Sequence, residues 1–162
     1  MVESSTYQDS VVLERVFDAP IDLVWKMWTD PTSFKAWYGP AGATVPVAEL
    51  DVWPGGRRRV CMAIGPREMW FTGQHSEVTE PTRLVYTETI ADERGNPISA
   101  ESLGLPPKAP ETTEVTVVLE EVNGGTRVTL THAGVPTESG AARGWNGAFD
   151  KLSAELRAAT GN

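Results

Sequence analysis

Arginine, glutamate and histidine side chains on otherwise apolar strand faces are the groups in this sequence best placed for chemistry. Arg57-Arg58-Arg59 opens a strand-like run to Ile64. Strand alternation sets Arg58 beside Val60, Met62 and Ile64, and puts Arg57 and Arg59 with Cys61 on the other side. Arg58 can therefore reach an apolar pocket and grasp a carboxylate or phosphate through its planar fork. The plainer reading is a rim arginine paired with a surface acid. Glu88 shares a face with Leu84, Tyr86 and Ile90, and His132 shares one with Val128 and Leu130. If both faces turn inward, Glu88 and His132 form the polar end of a cavity or an acid/base pair. The plainer reading of His132 is a satisfied, non-catalytic side chain at a strand end. Arg58, Glu88 and His132 are thus the candidate catalytic residues, should a reaction occur at all.

Other chemistries lack their residues. His75 and Cys61 stand in no zinc-like spacing with His132, so no metal is expected. Thr137-Glu138-Ser139-Gly140 lacks the first glycine and the strand-turn-helix setting of a nucleophile elbow. Gly140, Gly144 and Gly147 do not follow a strand, so they make no dinucleotide fingerprint. Pro54-Gly55-Gly56 is a turn without the lysine of a phosphate loop. No carboxylate pair is placed for glycosidase chemistry. No cofactor is expected.

The chain has 162 residues, a formal net charge of −8 and a pI near 4.8. An acidic balance argues against nucleic acid and anionic membrane surfaces, which call for a basic footprint. The single cysteine excludes an internal disulfide. No apolar run is long enough for a membrane span, and the polar Met1–Ser10 segment has no signal core. These features suit a cytoplasmic protein of one domain over residues 1–162.

The elements that position these residues follow from the apolar pattern. Val11–Phe17 reads as a strand. Asp18-Ala19-Pro20 reads as the start of a helix with an acidic cap, and Asp30-Pro31 as the start of a short second helix to about Trp37. Strands follow at Thr44–Trp53, Arg57–Ile64, Glu68–Val78 and Arg83–Ile90. A loop at 91–111, with four prolines and two glycines, then separates Thr113–Val122 from Thr126–His132. Asn123-Gly124-Gly125 suits a tight hairpin between those last two strands. Ala141, Trp145, Phe149, Leu152, Leu156 and Ala159 form one stripe of a final helix. That stripe must bury itself on a sheet face, which makes the fold α+β. Gly144 and Gly147 inside the helix point to a close neighbour or a bend.

Arg15-Val16-Phe17-Asp18-Ala19-Pro20, Val24-Trp25, Thr29-Asp30-Pro31 and Trp37-Tyr38-Gly39-Pro40 resemble the N-terminal signature of activator of heat-shock-protein-90 ATPase homologue-like domains. Pro54-Gly55-Gly56, Gly73, Glu80-Pro81-Thr82-Arg83-Leu84-Val85, Thr126-Arg127-Val128-Thr129-Leu130 and Gly144-Trp145 with Leu152 continue the likeness in order. These domains belong to the SRPBCC, START or Bet v 1-like superfamily. The resemblance implies a helix-grip fold: a curved antiparallel sheet of seven strands around a long C-terminal helix, two short helices after the first strand, and often an apolar cavity between sheet and helix. Arg58 departs from the pattern, since similar sequences often carry an aromatic residue there, and the 91–111 loop is longer than the family usually needs.

The cavity expected on this basis is lined by Trp28, Trp37, Tyr38, Arg58, Val60, Met62, Phe71, Tyr86, Val117, Leu119, Trp145 and Phe149. Trp37 and Tyr38 are expected near its mouth. Its use is binding a small hydrophobic or amphipathic molecule, in a stress-response role or otherwise. One alternative is a polyketide cyclase, aromatase or hydrolase working in the same cavity. Another is a chaperone-interaction module, although the eukaryotic namesakes act with an additional N-terminal domain, so a chaperone partner is not expected. Ile98, Leu103 and Leu105 suggest that the long loop docks on an apolar surface, either as a gate over the cavity or as a tether that merely packs on the outer sheet surface. Monomer and homodimer both stay open, with the sheet edge beside that loop as a pairing surface.

Overall fold

The computed structural model describes residues 10–99, 112–135 and 140–161. Seven strands form one antiparallel sheet: β1 (Ser10–Phe17), β2 (Thr44–Leu50), β3 (Gly56–Ile64), β4 (Arg67–Thr79), β5 (Arg83–Ala91), β6 (Thr112–Val122) and β7 (Gly125–Ala133). Their spatial order is β1-β7-β6-β5-β4-β3-β2. Two short helices, α1 (Ile21–Thr29) and α2 (Pro31–Lys35), link β1 to β2, and α3 (Ala141–Thr160) follows β7. The expected helix-grip architecture is the one observed.

Local chemistry explains the element boundaries. Asp30 caps α2 as expected, its carboxylate accepting from the Ser33 amide at 3.0 Å, with Pro31 in the first turn. The start of α1 differs from expectation. Pro20 itself is the extended residue before the helix, and the Leu23 and Val24 amides donate to its carbonyl. Asp18 therefore stands too far back to cap. The second helix also stops earlier than Trp37, giving way to a turn in which the Trp37 and Tyr38 amides donate to Phe34 O. Between β6 and β7, Asn123 and Gly124 hold φ of 48° and 86°, as a tight hairpin turn requires.

One face of the sheet and one stripe of α3 make the core. Val115, Val117, Leu119, Val128 and Leu130 meet Trp145, Phe149, Leu152 and Leu156, all buried. The helix stripe ends at Leu156, because Ala159 is exposed. Ile64, expected to face inward, is also exposed, standing at the end of β3 beside the Gly65 turn.

One of the two helix glycines, Gly147, marks a close approach. A Cβ on Gly147 would sit 2.9 Å from the backbone nitrogen of Ala41, while one on Gly144 would meet Pro40 Cβ at an ordinary 3.6 Å. Lys151 fastens the same loop, its ammonium donating to the carbonyls of Tyr38, Pro40 and Ala43 at 3.4, 3.1 and 3.2 Å. Opposite signs follow for one chemical change. Gly144→Ala should raise stability by about 0.5–1 kcal/mol through helix propensity. Gly147→Ala should lower it by about 1 kcal/mol, because the loop must shift against the Lys151 clamp. Thermal unfolding of both variants checks the pair.

The segment after β5 is ordered at its start. Asp92 accepts from the amides of Arg94 and Asn96, Pro97 bridges back to Ala91, and the Ile98 amide donates to Ile90 O. The remainder of the proposed gate, with Leu103 and Leu105, lies outside the described residues. The pairing surface expected beside this loop is not an edge. β5 and β6 are neighbours inside the sheet, and its edges are β1 and β2. Among the described residues, no helix is long and apolar enough to cross a membrane.

Candidate functional site

Arg58, expected either at the rim or in a pocket, is 2% exposed. The rim reading is thereby corrected: its acid partner is Glu88, itself buried, with Nη2 to Oε2 at 3.4 Å. Register explains how the side chain fits. Its neighbour on β4 is Gly73, so no side chain stands beside it there. It comes to rest 3.7 Å from the ring centre of Tyr86 on β5, with the Phe34 and Tyr38 rings at 5.3 and 5.7 Å. Such stacking covers the flat faces of the guanidinium and leaves only its edges for hydrogen bonds. Two of those donors, Nε and Nη1, have no partner.

Tyr38 joins this pair from the loop after α2. Its hydroxyl donates to Glu88 Oε2 at 2.9 Å and lies 2.7 Å from the hydroxyl of Tyr86. A phenol has one proton, so Tyr86 must donate to Tyr38 and Tyr38 to the carboxylate. Burial, reinforced by the Glu88 charge, holds the Tyr38 hydroxyl well above the usual tyrosine range. Burial raises Tyr86 likewise, against the opposing pull of Arg58. Burial works against the Arg58 charge, but the oxygens of Tyr86, Tyr38 and Glu88 outweigh it and raise the group above its ordinary value.

The polar band continues across the sheet. Glu88 pairs in register with Thr113 on β6, and the Thr113 hydroxyl bonds His132 Nε2 at 2.8 Å. Trp145 on α3 donates its indole N–H to His132 Nδ1 at 3.0 Å. That bond places the histidine proton on Nε2, so Thr113 is the acceptor. Burial lowers the His132 basicity, with Glu88 opposing. His132 and Glu88 thus share a face, but both ring nitrogens are engaged elsewhere and no hydrogen bond joins the two. Both His132 nitrogens are satisfied within the fold, and no direct pair with Glu88 is assembled.

The remaining wall is aromatic. Trp28 packs on Trp37 at 4.6 Å, on Trp145 at 6.2 Å and on Tyr38 at 6.5 Å between ring centres. Trp37 and Tyr38 are buried, within the wall instead of exposed at a mouth. The Trp37 indole N–H is satisfied by Met27 O at 2.8 Å, whereas the buried Trp28 indole N–H has no partner. Val60, Tyr86, Val117, Leu119 and Phe149 belong to the same buried cluster. Met62 packs against it while half-buried, and Phe71, opposite Val60, is half-buried outside it. Phe34 and Thr113 belong to the site's surroundings but were missed, and His75 was weighed only as a metal ligand. Thr113 was within reach, since it stands two residues before Val115 on the inward side of β6. Among the described residues, no cluster of His, Cys, Asp or Glu can hold a metal.

His75 is fully buried beneath Tyr86, their ring centres 6.3 Å apart. Neither ring nitrogen makes a well-formed hydrogen bond, although the backbone of Gly56 and Asp51 lies close enough to favour the proton weakly. Burial, then the Arg58 charge, brings His75 down to about 4 from the usual 6.5. The unfolded chain therefore takes up this proton at a higher pH than the folded one. The stability associated with neutral His75 is complete above about 6.5 and is lost progressively as pH falls to about 4, by roughly 3 kcal/mol. His132 acts in the same direction, while the lowered Asp30 carboxyl, held by Ser33, contributes its loss only at lower pH. Urea titrations across this window should show the fall, and His75→Phe should flatten most of it. A slope unchanged in that variant would assign the effect to other groups.

Comparison with known proteins gives the site its setting. The sequence pattern of the Activator of Hsp90 ATPase homolog 1-like protein family matches residues 18–157. No curated protein matches the sequence. Among solved structures, a protein from Nitrosomonas europaea is similar at a TM-score of 0.76 and 22% identity, covering 94% of this chain and 97% of that one. One from Mycobacterium smegmatis reaches 0.74 and 25%, covering 91% and 90%. The AHSA1 protein from Silicibacter pomeroyi reaches 0.70 and 22%, covering 91% and 97%. With strand order, helices and family pattern in agreement, the chain belongs to the Activator of Hsp90 ATPase homolog 1-like family of the SRPBCC superfamily.

Proposed function

We propose that this protein binds a small amphipathic molecule between the inner face of the sheet and α3. The observation that carries the reading is Arg58: a fully charged side chain held out of water with Nε and Nη1 unpartnered. A buried donor without an acceptor is costly, and a bound ligand is the simplest source of one. The aromatic wall formed by Trp28, Tyr38, Tyr86 and Trp145 supplies the apolar part of such a site.

Tryptophan quenching and thermal shift against fatty acids, aromatic polyketides and steroids test this reading. A saturable response from one class is expected. The double variant Arg58→Met with Glu88→Gln, which removes the buried charge pair together, should weaken that response about tenfold or more. Silence from every class, or equal affinity in the double variant, would overturn it.

A further inference from the structure

The charge and hydrogen-bond balance around Arg58 narrows the chemistry of the molecule that fits there. Arg58 and Glu88 are opposite charges at 3.4 Å. Tyr38 and Tyr86 carry their protons, and His132 is engaged as a neutral ring by Trp145 and Thr113. Lys151 is held apart, its ammonium turned to the backbone carbonyls of Tyr38, Pro40 and Ala43. The buried site is therefore electrically balanced as it stands. A carboxylate arriving from solution would leave one buried negative charge without a counter-charge, an arrangement strongly disfavoured in a protein interior.

Geometry points the same way. A two-pronged grip on a carboxylate uses adjacent N–H bonds along one edge of the guanidinium. Each such edge includes Nη2, which is already turned to Glu88. A carboxylate on either edge would meet Glu88 across a shared nitrogen. The unpartnered Nε and Nη1 each suit a single oxygen acceptor. The unpartnered indole N–H of Trp28, a ring that packs on Tyr38 as Arg58 does, adds a further donor. The site thus has donors in excess and no charge to neutralise.

We infer that the interior site selects neutral ligands bearing hydrogen-bond-accepting oxygens (ketone, quinone, lactone or amide carbonyls on an apolar frame) and discriminates against carboxylates of the same shape. The inference rests on the interior-binding reading above and sharpens it.

A matched pair of probes tests it. 2-Acetonaphthone and 2-naphthoate share an aromatic frame and differ chiefly in charge. Calorimetric titration of the whole chain at neutral pH should give the ketone an affinity at least about tenfold above the acid. Glu88→Gln keeps an acceptor for Tyr38 and leaves Arg58 without its counter-charge, so it should reverse the order in favour of naphthoate. Equal or tighter binding of naphthoate by the natural protein overturns the inference and leaves interior binding standing. So does an unchanged order in a folded Glu88→Gln variant. If that variant fails to fold, the pair measured on the natural protein decides alone. If neither probe binds, the inference falls. The broader reading falls with it only when the fatty acids, polyketides and steroids are silent too.

Discussion

Replacing Arg58 by methionine is expected to destabilise the protein by about 3–5 kcal/mol, because Glu88 then remains as a buried carboxylate without its counter-charge. Both groups are nearly removed from water, at 2% and 7% exposure, so solvent screening does little to soften the loss. Methionine fills much of the same volume and relieves two unpartnered donors, so the cost comes from the stranded charge and not from a cavity. Adding Glu88→Gln removes that charge while leaving an acceptor for the Tyr38 hydroxyl. The double variant should recover most of the loss, and the cycle should show a coupling of several kcal/mol between positions 58 and 88. Urea unfolding of the four proteins, with unchanged denaturant slopes, is the measurement. A single substitution costing under about 1 kcal/mol would mean that water or a shifted side chain reaches Glu88.

Gly73→Ala should cost at least about 3 kcal/mol, an unusual penalty for one added methyl group. A Cβ at this position would fall on the backbone carbonyl of Thr87, a group that cannot rotate away. The β4–β5 register would have to open near the irregularity between His75 and Glu77. Thr87 stands between Tyr86 and Glu88 on β5, so a shift of its carbonyl would displace both of these site residues. Ligand binding should therefore weaken even in the fraction of molecules that stay folded. Measuring unfolding and ligand affinity together separates the two effects. A variant as stable as the natural protein would show that this stretch of sheet is more yielding than its close contact implies.

The architecture was legible because it is written in local patterns. Alternation along β6 and β7, the hairpin residues Asn123-Gly124, and the stripe from Trp145 to Leu156 each specify an element within about a dozen residues. Gly147 in α3 announced a close neighbour, whereas Gly144 has only an ordinary contact. The site was legible only in its parts. Arg58, Glu88 and His132 could be assigned to inward faces by counting, but strand order decides which of them meet. Tyr38 reaches Glu88 across 50 residues of sequence, and no periodicity reports such a distance. Trp145, expected as a cavity-lining ring, fixes the histidine tautomer, a role set only where helix and strand meet in the folded chain. Asp18 shows the opposite limit: the cap residue was of the right type, two positions too early.

The indole pair Trp28 and Trp37 has an optical consequence. Their ring centres are 4.6 Å apart and their planes are inclined at 72°. Two identical chromophores held this close and skewed share their excited states, which produces a bisignate band in circular dichroism. Trp53 is 59% exposed and enters none of the ring contacts among the described residues, so it adds emission from a water-facing indole without that band. The couplet thus reports the packing of the α1–α2 corner together with Trp145 of α3, whose ring centre lies 6.2 Å from that of Trp28. It should vanish when side-chain order is lost, even under conditions where the backbone signal of the sheet and α3 persists.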